Sequence, residues 1–209
     1  MQNDAQKVHY FVLNTLADWE ASYALAMLNT PAGVPLQRYR VVTVAASREP
    51  IVTMGGLRIV PDLTLAELSP ADSALLVLPG GQTWETGENQ AAIDKAREFL
   101  HQDKPVAAIC GATWAMARGG LLDERKHTSN QADYLVATGY RGGAHYVNER
   151  AVSDRKVITA GATGALEFAR EIFLTLGYYP RPVVEAWYQL YRTGDPRYFA
   201  ELVQAMSPA

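Results

Sequence analysis

The chain has 209 residues, a length typical of a single domain with a sizeable hydrophobic core. Lysine and arginine number 19 against 22 aspartates and glutamates, and the resulting net charge of −3 gives no indication of nucleic-acid binding. A single cysteine excludes an internal disulfide, and no apolar run approaches the roughly 20 residues that a membrane span needs.

The first residues of the chain are polar. Residues 1–4 contain no apolar core of the kind that a secretory signal needs. Together with the lone cysteine, this predicts a soluble, cytoplasmic protein that binds neither a membrane nor nucleic acid.

Short apolar runs alternate with helical patterns along the first half of the chain. In chain order, the pattern predicts a strand at 8–13, a helix at 18–30 with a stop at Gly33, a strand at 39–45, a hairpin at 51–60 around Gly55 and Gly56, a buried strand at 74–78, a helix at 90–101 and a buried strand at 105–109. The buried strands end abruptly, the first in Pro79, Gly80 and Gly81 and the second in Cys110 and Gly111.

The same alternation continues in the second half. The predicted elements are helices at 112–118, 130–138 and 165–176, with two short strands at 152–153 and 157–160 flanking the turn 154–156. Such a pattern is typical of an α/β fold with a mostly parallel sheet, helices on both faces and right-handed crossovers. Ligands of these sheets bind beyond the carboxyl ends of the strands, where the loops after Leu13 and Leu78 and the residue Cys110 are expected to meet.

The C-terminal segment differs from the rest of the chain. Pro180 and Pro182 interrupt it, and residues 183–192 form an aromatic-rich helical pattern. Residues 194–196 then supply a helix stop, an N-cap and a helix-starting proline, which predicts a final helix.

We expect residues 1–177 to form one domain and residues 178–209 to form a helical extension packed on it. Three roles stay open for the aromatic side chains of the extension: packing on their own domain, forming a subunit interface, or covering Cys110. These side chains are Trp187, Tyr188, Tyr191 and Tyr198.

Cys110 is the main candidate for chemistry. An apolar strand leads directly into Cys110, Gly111 and Ala112 and then into a helix, which is the pattern of a nucleophile elbow with its small neighbours. The helix would direct N–H groups and its positive end at the sulfur, which predicts a lowered thiol pKa and a reactive thiolate. The alternative is that Cys110 is a small buried hydrophobic residue.

Two further segments of the sequence are expected at the same edge of the sheet. Glu20 is a candidate partner of Cys110, with a carboxyl pKa raised by the thiolate, whereas Asp18 is the expected N-cap of the first helix. The N–H of Gly81 is free to face a ligand, and that of Gly111 can contribute half of an oxyanion hole.

Two histidines are candidate bases. His127 and His145 follow Cys110 in loops, and either can orient or deprotonate the thiol, although a solvated loop position is the simpler explanation of each. No histidine and cysteine spacing indicates a metal site and no phosphate-binding loop is present, so no metal or cofactor is expected.

Taken together, these segments resemble the ThiJ/PfpI family, a class I glutamine amidotransferase-like group that includes the parkinsonism-associated DJ protein. The resemblance covers roughly residues 7–177, and it rests on segments 18–20, 78–81, 107–110, 120–123, 126–129, 158–161 and 166–169. It implies a flavodoxin-like three-layer sandwich and a homodimer. It also implies that Cys110 is the elbow cysteine, Glu20 its paired acid, and Gly81 and Gly111 the oxyanion donors.

The chain departs from the family pattern at several positions. Many relatives have a histidine where Gly111 stands here, and another pattern has one at Asn130. Ala108 and Ala112 occupy the glycine positions of true amidotransferases, and no glutamate follows His145 two residues later, so glutamine hydrolysis is not expected.

Two functions remain open at the level of sequence. The first is a cysteine-dependent hydrolase, hydratase or glyoxalase-like enzyme acting on a small electrophile, such as an aldehyde, an amide or an isonitrile. The second is a non-catalytic oxidative-stress sensor whose Cys110 is oxidised to sulfinate. A histidine within hydrogen-bond reach of the sulfur favours the enzyme, and Glu20 alone favours the sensor.

Overall fold

A mixed sheet of seven strands forms the centre of the fold. The computed structural model describes residues 5–31 and 38–206. Its strands are β1 (Gln6–Phe11), β2 (Tyr39–Ala45), β3 (Ile51–Val52), β4 (Arg58–Ile59), β5 (Leu63–Thr64), β6 (Ser73–Leu78), β7 (Val106–Ile109), β8 (Ala151–Asp154) and β9 (Val157–Ala160). The sheet order is β5-β2-β1-β6-β7-β9-β8, parallel except for the edge strand β8, and β3 and β4 form a separate antiparallel hairpin.

Helices cover the sheet on both faces. They are α1 (Ser22–Asn29), α2 (Gln90–His101), α3 (Gly111–Arg118), α4 (Ala132–Val136), α5 (Ala165–Leu176), α6 (Arg181–Thr193) and α7 (Arg197–Met206). One group contains α1 and α5 and the other α2 and α3, and both groups contact β7. The architecture is a flavodoxin-like three-layer α/β sandwich, which confirms the predicted fold class.

Hydrophobic periodicity explains which face each helix buries. In α5 the buried residues are Ala165, Phe168, Ala169, Ile172 and Phe173, a spacing that places them on one side of a helix. The central strands β7 and β9 are buried along their whole length, as expected of parallel strands covered on both faces.

The predicted bounds of α1 and α4 differ from the structure for a shared reason. Helix α1 begins at Ser22 instead of residue 18, because the preceding turn takes Asp18 to the hairpin, where its Oδ2 accepts the Gly55 N–H at 2.7 Å. Asp18 is therefore not the N-cap. Helix α4 begins at Ala132 because Asn130 is held by Ala162 instead of by the helix.

The remaining bounds show smaller differences. Strand β1 ends at Phe11 rather than at residue 13, and the two-residue strand β5, which pairs with β2, was not predicted. The predicted helix stop at Gly33 and the polar residues 1–4 lie outside the described part of the chain. Within residues 5–31 and 38–206, no helix has the length and apolar character required to cross a membrane.

The C-terminal helix α6 packs on α5 of the same chain. Trp187 is 3% exposed, and its ring meets that of Phe173 edge-on with 5.1 Å between the ring centroids. The Tyr188 hydroxyl donates to Glu167 at 2.9 Å. Gly194, with φ of 68°, ends α6 as predicted, and α7 follows after Pro196.

Candidate active site

Cys110 occupies a strained turn between β7 and α3. Its φ of 58° and ψ of −125° are unusual for a residue with a side chain. The turn is held from both sides, because the Cys110 N–H donates to the Ala160 carbonyl at 3.0 Å. The Cys110 carbonyl accepts from the Thr113 N–H at 3.0 Å and from the Thr113 hydroxyl at 2.6 Å. This conformation leaves the sulfur half-buried at the carboxyl edge of the sheet.

Glu20 lies beside the sulfur and is fully buried. The Gly80 N–H donates to Glu20 Oε2 at 2.5 Å, which fixes the carboxyl group in place. Its other oxygen, Oε1, is buried without a nitrogen or oxygen partner among the described residues, and the carboxyl shares a hydrogen bond with the Cys110 side chain. The structure thus brings Glu20 and Cys110 together.

Gly80 packs tightly against the side chains of both Glu20 and Cys110. A Cβ atom added at this position would lie 2.6 Å from Glu20 Oε2, 2.7 Å from Glu20 Oε1 and 2.8 Å from Cys110 Cβ. Glycine is required here because the space is filled and not because of backbone conformation.

Two N–H donors also approach the sulfur. Asn130 Nδ2 lies 3.5 Å from Cys110 Sγ, and the backbone N–H of Gly111 forms a second hydrogen bond to it. The Ala162 N–H donates to Asn130 Oδ1 at 2.9 Å, so the amide is oriented with its NH₂ group towards the sulfur. Both contacts favour negative charge on Cys110.

Burial opposes these donors. It raises the pKa of Cys110 to about 11, with the negative charge of Glu20 as the next cause, while the contacts from Asn130 and Gly111 lower it. Burial also raises the pKa of Glu20, against the hydrogen bond from Gly80. The expectation of a lowered thiol pKa was therefore wrong in direction, because desolvation outweighs the helix N-terminus.

Glu20 and Cys110 are best described as one titrating pair. Two negative charges in a buried site repel each other strongly, so the two groups are not both ionised in the neutral range. A pKa of about 11 for Cys110 belongs to a thiol whose neighbour Glu20 is ionised. Burial thus favours the protonated form of both groups, and the charge of Glu20 adds to the preference of Cys110 for the thiol.

The two predicted oxyanion donors lie next to each other. A Cβ on Gly111 would be 3.0 Å from the Gly81 carbonyl oxygen, and one on Gly81 would be 3.0 Å from Leu13 Cδ1. The Gly111 N–H reaches the sulfur, as described above. For the Gly81 N–H, the structure gives no contact with Cys110, and its role as a donor stays a prediction.

The structure does not bring His127 to the sulfur. His127 is buried, with Nδ1 2.7 Å from the Arg125 carbonyl and Nε2 3.1 Å from the Tyr140 hydroxyl. Its ring also meets Tyr146 edge-on. Burial lowers its pKa, and both ring nitrogens have partners other than Cys110.

His145 is exposed and lies in a short 3-10 turn. Its backbone carbonyl accepts the His127 N–H at 3.3 Å. Among the described residues, no histidine forms a hydrogen bond with Cys110. The proposed catalytic roles of His127 and His145 therefore have no support from the hydrogen bonds of the site.

Sequence reasoning missed a pair at the rim of the site. The Tyr134 hydroxyl donates to Glu85 Oε1 at 2.7 Å. Charge on Cys110 and Glu20 adds to burial and to Glu85 in raising the pKa of Tyr134, which places Tyr134 within electrostatic range of the titrating pair. No local pattern marks this pair, because its two residues lie 49 positions apart in the chain.

Comparisons with known proteins were made on sequence and on structure. The model of the DJ-1/PfpI family matches residues 6–174. A Bacillus subtilis protein named "Uncharacterized protease YoaZ" is 38% identical over 206 residues, which are 97% of this chain and 98% of that protein. "Deglycase PH1704" from Pyrococcus horikoshii is 31% identical over 124 residues, 59% of this chain and 71% of that protein.

The fold is also similar to solved structures. The crystal structure of a thiJ/pfpI family protein from Bacillus anthracis has a TM-score of 0.91 and 40% sequence identity. The match covers 96% of this chain and 97% of that one.

Proposed function

The chain belongs to the DJ-1/PfpI family, and on that premise we propose that it is a hydrolase-like enzyme whose Cys110 attacks small carbonyl compounds. Names of relatives support an enzyme, since one is named a protease and another a deglycase. The hydrogen bonds around Cys110 support the more specific part of the proposal, the nucleophile and its proton carrier.

One observation carries the proposal: Glu20 is positioned by the Gly80 N–H, shares a hydrogen bond with the Cys110 side chain, and has a buried oxygen, Oε1, with no hydrogen-bond partner among the described residues. A carboxylate whose pKa burial has raised is a better base than a solvated one. In this proposal Glu20 takes the thiol proton as the sulfur attacks, so a thiolate need not exist in the resting state.

The proposed step is the addition of the thiol to an aldehyde. The sulfur lone pair forms the bond to the carbonyl carbon as the carbonyl π-bond breaks and its electron pair moves to oxygen. The thiol proton passes to Glu20 and from there to that oxygen, which gives a hemithioacetal. With an α-oxoaldehyde, transfer of the hydrogen on that carbon to the neighbouring carbonyl carbon, and of the hydroxyl proton to the neighbouring oxygen, converts the hemithioacetal into a thioester. Water then hydrolyses the thioester, which releases an α-hydroxy acid and the free thiol. The Gly111 N–H, at the turn beside the sulfur, is a donor for the charge that develops on oxygen.

This chemistry suits the site better than peptide hydrolysis does. Cleavage of an amide also needs a group that protonates the leaving nitrogen and activates a water, which in cysteine proteases is a histidine paired with the cysteine. Among the described residues, Glu20 is the one carboxyl or imidazole group that hydrogen-bonds the sulfur. The amide of Asn130 also contacts the sulfur, but it can act neither as an acid nor as a base.

The redox sensor is the second candidate. By the criterion stated for the sequence, a site with Glu20 and no histidine favours it. The thiol pKa of about 11 weighs against it, because peroxide oxidises the thiolate and little thiolate exists at neutral pH beside an ionised Glu20. We therefore rank the enzyme first.

A panel of aldehydes, amides and isonitriles tests the proposal. We expect wild-type turnover to be confined to aldehydes, and Cys110→Ser and Glu20→Gln each to reduce it by at least about 100-fold. His101→Gln, an exposed substitution on α2, is the matched control and should leave turnover unchanged. Unaltered turnover in Cys110→Ser contradicts the proposal. A comparable loss in His127→Gln or His145→Gln, with the fold intact, contradicts the role of Glu20 as sole proton carrier.

A further inference from the structure

A cavity lies between α1, α5, α6 and α7, and none of its lining residues belongs to the candidate active site. Its volume is about 160 Å³. The lining comes from all four helices and from Tyr179, which lies between α5 and α6: Met27, Phe173, Tyr179, Val183, Val184, Trp187, Leu190, Tyr191, Phe199, Leu202 and Met206.

The lining of this cavity is apolar and adaptable. None of the lining residues named above carries a charge. Met27 from α1 and Met206 from α7 supply flexible thioether side chains, which adjust to ligands of different shape. An engineered apolar cavity of about 150 Å³ accommodates benzene, so the volume here suits a molecule with a single ring.

Trp187 contributes the one feature that an apolar core does not explain. The residue is 3% exposed, and its ring is held by Phe173, Tyr191 and Tyr23. Its Nε1 is buried and has no hydrogen-bond partner among the described residues. A buried indole N–H usually finds an acceptor, since leaving it unpaired costs free energy.

We propose that this cavity binds a small, neutral, single-ring molecule with one hydrogen-bond acceptor, such as a carbonyl oxygen, which accepts the Trp187 N–H. The ring of the ligand fills the cavity between the apolar side chains, and its carbonyl oxygen accepts the otherwise unpaired Trp187 N–H. Charged ligands are excluded because the lining offers no counter-ion.

Helix α7 forms the outer wall of the site. It has no buried residue, and Phe199 is 59% exposed although it lines the cavity. The wall is joined to α6 through Gly194, whose φ is 68°. Ligand entry past α7 therefore disturbs little of the buried core.

Two probes of nearly the same shape test the proposal on the full-length protein. Acetophenone carries a carbonyl acceptor, and ethylbenzene does not. We expect acetophenone to shift the indole N–H resonance of Trp187 saturably among the four tryptophan signals. We expect calorimetry to give acetophenone about fivefold tighter binding than ethylbenzene, the factor of one net hydrogen bond.

Three variants complete the test. Trp187→Phe should reduce the fivefold preference to about one, and Leu202→Trp, which fills the cavity from α7, should abolish binding of both probes. Ala200→Trp is the matched control, because it adds the same side chain at an exposed position of α7 outside the lining, and it should bind as wild type does. Cys110→Ser should also bind as wild type, which separates this site from the active site.

Several outcomes overturn the proposal. One is an absence of saturable binding by wild type, and another is equal affinity for the two probes, which is the result expected if water satisfies the Trp187 N–H. A third is binding that survives in Leu202→Trp, and a fourth is a preference for acetophenone that persists in Trp187→Phe. The comparison of the two probes on wild type stands even if a variant fails to fold.

Discussion

At the scale of single residues, the central feature is a proton shared by Glu20 and Cys110. Burial raises the pKa of both groups; Glu20 raises the pKa of Cys110 further, whereas the hydrogen bond from Cys110 lowers that of Glu20. Under the proposed mechanism, a thiol with this raised pKa reacts only when Glu20 accepts its proton, which protects it from unwanted oxidation. Reactivity then depends on a substrate that occupies the site.

Glu20→Gln separates thiol acidity from catalysis. Both effects of Glu20 on Cys110, its charge and its hydrogen bond, raise the thiol pKa, so their removal should lower that pKa from about 11 by at least about one unit. Below the pKa, each unit gives roughly tenfold more thiolate. Iodoacetamide alkylation at pH 8, which reports on the single cysteine, should therefore become faster while aldehyde turnover falls.

The control for this experiment is Glu98→Gln, which removes an exposed charge on α2 and should alter neither rate. A slower alkylation in Glu20→Gln would mean that the resting wild type already holds a thiolate stabilised by a protonated Glu20. In that case the resting proton is on the carboxyl group and not on the sulfur.

Gly80→Ala tests how closely the pair is packed. The added methyl group would lie within 2.8 Å of Cys110 Cβ and closer still to the Glu20 carboxyl, so one of them must move. We expect a loss of about 1–3 kcal/mol in the free energy of unfolding, measured with urea, together with a large loss of turnover. Gly143→Ala is the matched control, because a Cβ at Gly143 meets nothing within 4 Å. Equal effects of the two substitutions would contradict the packing argument.

The sequence predicted the members of the site better than their energetics. Cys110 was recognised because it directly follows a buried strand, which is a local pattern. Glu20 was recognised because it opens the first predicted helix and because the family resemblance pairs it with the cysteine. The donor role of Asn130 depends on Ala162, 32 residues away, and so it could not be read from neighbouring residues. The direction of the Cys110 pKa was missed because burial, unlike the start of a helix, is a property of the tertiary structure.

At the scale of elements, the predictions were best where hydrophobic periodicity was long. The bounds of β2, α2 and α5 agree with the prediction residue for residue. The predicted helix bounds were wrong where a residue at the helix start makes a tertiary contact, as at the starts of α1 and α4. There a side chain binds the hairpin or the site instead of capping its helix, and helix propensity alone does not reveal that.

The pairing of β1 with β6 carries a pH-dependent contact. His9 is buried in β1 with Nδ1 2.8 Å from the Ser73 hydroxyl, and burial lowers its pKa to about 4. Between pH 6.5 and 4, the unfolded chain binds a proton that the folded chain does not. Stability from this residue is therefore complete above about pH 6.5 and declines as the pH falls towards 4.

His9→Gln removes this titration. Between pH 7 and pH 5, we expect the wild type to lose about 2 kcal/mol more unfolding free energy than the variant does. Urea denaturation at the two pH values measures the difference, and other titrating groups cancel because both proteins contain them. Identical losses would show that the folded protein accepts the proton on His9 without cost.

At the scale of the whole molecule, the C-terminal helices complete the core of the domain. Val183, Val184 and Trp187 are buried, and Trp187 covers Phe173 of α5. A chain that ends at Gly177 would expose this apolar face. Oligomeric state is therefore better measured on the full-length chain than on a truncated one.

The homodimer implied by the family resemblance remains a prediction. We expect light scattering of the full-length protein to give twice the mass of one chain at micromolar concentration. The mass of a single chain would contradict this expectation. The outcome does not test the proposals for Cys110 or for the cavity between α1, α5, α6 and α7, because both sites are described within one chain.

The shared proton of Glu20 and Cys110 has a consequence for substrate selection. With one proton on the pair, the site carries one negative charge before the thiol attacks, so an anionic substrate would place a second negative charge in a buried site. Two like charges about 4 Å apart repel by about 4 kcal/mol at an effective dielectric constant near 20. A neutral aldehyde such as methylglyoxal should therefore be preferred over an anionic one such as glyoxylate. The protonation state of the Glu20–Cys110 pair thus determines which substrate charge the site accepts.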